Sequence, residues 1–209
     1  MFTLIKREIE DHLVYFIGVG IVSAILTIIS ILIVFEDNPV GPDVFFFPLI
    51  LAAIVVMVGL CGMGVSQMYT DRSRRISAFL STLPVSRDQI LAARIIVGIL
   101  AILTFLVPLT ITAVVLLRLF APPVPMYSGL ISDIFIVTFL MSFACYCIGL
   151  QTGWTSSKVT PTLGGLTLTC ILVTLILVKG FGLHIVVILL LFIIASLVCT
   201  WHKFASTSL

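Results

Sequence analysis

Apolar residues fill the chain in six runs, each set off from the next by a short polar or charged stretch: Leu13–Phe35, Val44–Ser66, Gln89–Leu119, Leu130–Gln151, Val159–Val178 and Leu183–Trp201. About 20 apolar residues in a helix cross a hydrocarbon core of about 30 Å. Each run meets or approaches that length. Within them apolar residues are continuous rather than alternating, so the expected spans are helices and not barrel strands. The third run is long enough to tilt or to extend beyond the bilayer. The fifth is the weakest, because Pro161, Gly164 and Gly165 fall in its first turns. The first run exceeds a signal-peptide core of about 7–15 residues and no A-x-A site follows it, so it reads as a retained span.

Composition agrees with this pattern. Hydrophobic residues make up 61% of the 209, charged residues only 10%, and mean hydropathy is +1.33. A soluble domain is about 45–50% apolar and about 25% charged. The expectation is an all-α integral membrane protein, with residues 1–209 forming a single transmembrane domain. With the N-terminus in the cytoplasm, the inner side holds Lys6, Arg7, Arg72, Arg74, Arg75, Arg87, Arg94, Lys158 and Lys203, and the outer side only Arg118 and Lys179. That asymmetry predicts cytoplasmic termini. A net charge of +2 gives no support to a nucleic-acid partner.

The inventory of reactive groups is thin. Cys61, Cys145, Cys147, Cys170 and Cys199 lie inside apolar runs with no CxxC spacing, which reads as packing rather than a disulfide framework or a zinc site. His12, His184 and His202 are far apart in sequence and near expected membrane edges. The GLCGMG string, Gly59 to Gly64, follows no strand and falls in an expected span, so close helix packing explains it better than a phosphate loop. No GxxxxGK[ST] occurs, no catalytic residue or cofactor site is expected, and no charge falls near the middle of a span. A proton-driven carrier needs intramembrane charge on its path.

The residues between the second and third spans, 67–88, carry the most information. Arg72, Arg74 and Arg75 together would cost on the order of 8–10 kcal/mol at a membrane centre, so they stay outside it. Ile76, Phe79, Leu80 and Leu83 recur at helical spacing and make one apolar face. The expectation is a short amphipathic helix starting at Asp71, favourably placed at its N-terminus, and ended by Pro84. Ser86-Arg87-Asp88-Gln89 then forms a capping box for the third span. Before the first span, Phe2, Ile5 and Ile9 form a stripe beside Lys6, Arg7 and Glu10, suited to an interfacial helix over residues 1–12.

Asp71-Arg72, the run Phe79-Leu80-Ser81-Thr82-Leu83-Pro84-Val85-Ser86-Arg87, then Gln89-Ile90-Leu91 and Arg94, resemble the cytoplasmic loop of the type-2 permease family of ATP-binding-cassette transporters. Six spans with cytoplasmic termini and a charged N-terminal elbow helix also resemble that family. The resemblance implies a non-catalytic permease that pairs with a second, identical or related, permease subunit. It further implies separate cytoplasmic ATPase subunits that supply ATP and magnesium, and a prokaryotic inner membrane. It makes Asp71, Arg72, Arg74, Arg75, Phe79, Leu80, Leu83, Pro84 and Arg87 the ATPase contact, with the apolar residues seating the helix and the arginines orienting the partner. An exporter of a hydrophobic or amphipathic substrate is the expected activity. The alternative is a non-transporting membrane scaffold or immunity protein that docks a cytoplasmic partner.

Overall fold

The computed structural model describes residues 2–35, 42–73, 87–120, 126–153 and 183–206, with single helical positions at Thr167, Ile171 and Thr174. Every element among the described residues is a helix. In chain order they are α1 (Phe2–Asp11), α2 (Leu13–Phe35), α3 (Pro42–Ser73), α4 (Arg87–Phe120), α5 (Met126–Thr152) and α6 (Leu183–Ser206). Four are long and apolar enough to cross a membrane: α2, α4, α5 and α6. Helix α3 is 32 residues long, with an apolar stretch at Ile54–Tyr69. The expected span Val159–Val178 lies outside the described residues apart from its three single positions.

Sequence explains most of the boundaries. Helix α2 begins and ends with its apolar run, as expected. Helix α4 is described from Arg87, and Ser86, the expected cap, lies outside the described residues. It continues through Pro108 without ending, a tolerance membrane helices show because neighbouring groups take up the freed carbonyl. Helix α3 departs from expectation at its end. Asp71, Arg72 and Ser73 continue α3 as its last described residues and do not start a separate helix. The stretch Gln67–Ser73 contains neither Gly nor Pro, so nothing breaks the helix where the apolar run stops. Asp71 consequently does not gain the N-terminal dipole interaction its expected position implied.

Helix α5 is the centre of the bundle and packs against α3, α4 and α6; α2 lies on α4 and α3, and α1 on α4. Residues 140–150 of α5 are buried without interruption. By contrast, only 11% of the span of α2 is buried, against 67% of that of α5. One side of α2, through Leu13, Ile17, Ile21, Ile25, Ile28 and Leu32, is exposed. In a bilayer such a side faces lipid at no cost, since tails are as apolar as the side chains.

Glycines set the closest approach in the bundle. A Cβ on Gly64 would stand 2.7 Å from the Tyr146 carbonyl oxygen and 2.8 Å from the Leu150 nitrogen, and one on Gly149 would collide with the Cys61 carbonyl oxygen. One on Gly153 would lie 2.6 Å from Met68 Cβ. Backbone therefore meets backbone between α3 and α5, the contact small residues permit in membrane helices. The GLCGMG string serves this purpose at Gly64 alone, because a methyl added to Gly59 or Gly62 would have no atom within 4 Å.

Candidate functional site

The segment that sequence assigns to a partner meets the described structure only at its edges. Asp71 and Arg72 are helical at the end of α3 and Arg87 opens α4, with side chains outside the described set. Arg74, Arg75, Phe79, Leu80, Leu83 and Pro84 lie wholly outside it.

Beside the end of α3 sits a buried polar cluster that joins four helices. Its centre is Arg94, about two turns into α4, with its side chain only 4% exposed. An arginine buried this deeply requires an anion or a set of acceptors. Glu8 of α1 supplies the anion: its Oε1 lies 3.4 Å from Arg94 Nε. Arg94 Nη1 also donates to the sulfur of Met68 on α3, at 3.3 Å. Glu8 reaches this position because α1 is amphipathic in the expected way. Ile5 and Ile9 pack onto the core, Lys6, Arg7 and Glu10 face out, and Glu8 falls on the inward side between the two isoleucines.

Tyr146 on α5 completes the cluster from below. It is fully buried, and its hydroxyl lies 2.8 Å from the Arg94 carbonyl oxygen and 2.6 Å from Gln67 Oε1 on α3. A phenol has one proton and can donate to only one of these oxygens. Turning the Gln67 amide end for end lets its nitrogen donate to the phenol oxygen while the phenol donates to Arg94. That orientation also gives a partner to the buried Gln67 Nε2, which otherwise has none. The ring of Tyr146 fits against Gly98, whose Cβ would press into it. Phe135, Phe139 and Phe143 extend from it along α5 as a ladder of near-parallel rings, with neighbouring centroids 6.3–6.5 Å apart.

Two outer contacts tie the same end of the bundle to α6. Trp201 Nε1 donates to Asp88 Oδ1 at 3.0 Å, and Ser196 donates to Gln151 Oε1 at 3.4 Å. Between α2 and α3 lies an apolar groove of about 210 Å³, lined by residues including Tyr15, Gly18, Val55, Gly59 and Met63. Among the described residues no three His, Cys, Asp or Glu side chains gather in one place.

Of these residues, sequence reasoning singled out Arg94, as an inner-side cation and as part of the family pattern. It did not select Glu8, Gln67, Met68 or Tyr146. Among the described residues every element is helical, and the four long apolar helices there suit a multi-pass membrane protein. Comparison with family models, with curated proteins and with solved structures finds no match.

Proposed function

We propose that this chain is the membrane-spanning permease subunit of an ATP-binding-cassette transporter. In that role it exports a hydrophobic or amphipathic substrate, and separate ATPase subunits drive it. The observation that carries the reading is the run Phe79–Arg87 following Asp71-Arg72 between two long apolar helices, its resemblance to the type-2 permease loop being the most specific signal in the chain. The position of α1 adds support. A charged amphipathic helix lies against α4 near the end of α3, which leads directly into that loop. In this reading the chain has six spans with cytoplasmic termini and works beside a second permease subunit. The apolar face of residues 76–83 seats in the ATPase, and Arg72, Arg74, Arg75 and Arg87 orient it.

Affinity purification from native membranes in mild detergent tests this directly. A stoichiometric ATPase bearing a phosphate-binding loop is the expected co-purifying protein. Replacing Arg72, Arg74 and Arg75 together with alanine is expected to reduce its recovery by about tenfold or more while leaving the amount of membrane-inserted chain unchanged, since three charge-assisted contacts are lost. Full retention of the ATPase by the triple variant would remove the assigned role of the arginines. Absence of any ATPase, where other transporters stay intact, would favour the scaffold.

A further inference from the structure

Helix α1 cannot owe its shape to itself. At ten residues it is shorter than the roughly 12–15 that an isolated helix needs in water. Its two ion pairs along its own surface, Lys6–Glu10 and Arg7–Asp11, are both 3.9 Å long and more than half exposed, a setting in which such pairs contribute little. Its hold on the bundle comes from Ile5, Ile9 and the Glu8–Arg94 pair.

A single residue, His12, separates α1 from α2. Its backbone N–H donates to the carbonyls of Glu8 and Ile9, both at 3.2 Å, and its carbonyl accepts from Tyr15 N–H at 3.0 Å. Its ring Nδ1 also lies 3.1 Å from the Glu8 carbonyl oxygen. Glu8 is thus held by the corner through its backbone and by Arg94 through its carboxylate. The two partners of the pair differ in freedom. Arg94 sits in the interior of α4, its guanidinium on the Met68 sulfur and its backbone carbonyl accepting from the Tyr146 hydroxyl, whereas Glu8 is 19% exposed on a peripheral helix.

We propose that α1 is a strap, hinged at His12 and closed over the bundle by the Glu8–Arg94 pair, whose seating is linked through Arg94 to the packing of Met68 near the end of α3. The strap has two positions. Closed, it covers Arg94. Open, it pivots about the corner, and Arg94 meets the membrane surface instead of a carboxylate. This device does not depend on the transporter reading and operates equally in a scaffold.

Hydrogen exchange on the full chain in lipid nanodiscs tests it. Glu8→Gln keeps the size of the side chain and removes its charge. Exchange of the α1 amides is expected to rise about tenfold or more, because a partly buried ion pair is lost. Amides of residues 64–68 should quicken by a smaller factor, and those of 141–150 should not change. The double variant Glu8→Gln/Arg94→Gln is expected to regain the thermal midpoint lost in the single one, because it no longer buries the Arg94 charge without Glu8 opposite it, yet to leave α1 open. Glu8→Asp, one methylene shorter, is expected to open α1 partway and substitutes for Glu8→Gln if the latter does not fold. Unchanged α1 exchange in these single variants overturns the strap. So does reclosure of α1 in the double variant, or loosening of α1 and residues 141–150 together, which would mark the pair as a general stabiliser.

Discussion

Gly149→Ala is expected to lower the stability of the bundle by on the order of 3 kcal/mol, at the upper end of overpacking costs. The added methyl has nowhere to go, because the atom it meets is the Cys61 carbonyl oxygen and the obstacle is backbone rather than a flexible side chain. Helices α3 and α5 would have to separate along their whole glycine contact, loosening Gly64 against Tyr146 and Gly153 against Met68 together. Gly59→Ala is the matched control. It places the same methyl where nothing lies within 4 Å, and alanine gains up to about 1 kcal/mol of helix propensity over glycine. Thermal unfolding in detergent should therefore show a lower midpoint for the first and an equal or higher midpoint for the second. Equal midpoints for the two variants would mean that α3 and α5 are not in backbone contact.

Tyr146→Ala is expected to cost about 3–5 kcal/mol, the range for deleting a large aromatic side chain from a packed core. Tyr146 heads the fully buried side chains by volume, and its ring fills the space that Gly98 leaves open on α4. Tyr146→Phe separates the two contributions. It keeps the ring and removes only the hydroxyl that joins Arg94 to Gln67, so about 1–2 kcal/mol should be lost, mostly from the stranded Gln67 amide. Adding Gln67→Leu to Tyr146→Phe is expected to return most of that loss, since no buried amide then lacks a partner. Equilibrium unfolding of the three variants checks the order. If Tyr146→Phe proved as damaging as Tyr146→Ala, the hydroxyl rather than the ring would dominate.

How far the sequence could be read depended on whether the deciding contact was local. The ends of α2 were legible because its apolar run stops at charges and prolines. The continuation of α3 past Ser66 was not, because an apolar run reports where lipid stops and not where helical hydrogen bonding stops. Glu8 was within reach. Ile5, Glu8, Ile9 and His12 share one helical side, and a carboxylate on an otherwise apolar side requires a cation. Arg94 was the conspicuous isolated charge early in the apolar run of α4, yet nothing local pairs it with a carboxylate three helices earlier in the chain. Gln67 and Tyr146 gave no signal, since each is an ordinary residue until a third helix brings them together. Gly59, Gly62 and Gly64 show the same limit, because one motif distributes three glycines around a helix and only the neighbouring helix selects which of them matters. The segment from Asp71 to Arg87 was read from resemblance, and only its flanks fall within the described residues.

Backbones already in contact cannot move closer, so a tilt or axial slide that keeps the glycine contact carries α3 and α5 together. Helix α3 is about 48 Å long at 1.5 Å per residue. A tilt of about 5°, pivoting at its far end, carries Ser73 sideways by about 4 Å on that lever arm. A rearrangement too small to repack a core would thus be delivered, magnified, to the residues that follow Ser73. Transmission in the other direction carries the opposite gain: a push of several ångströms on those residues reaches the middle of the bundle as a small, forceful rotation.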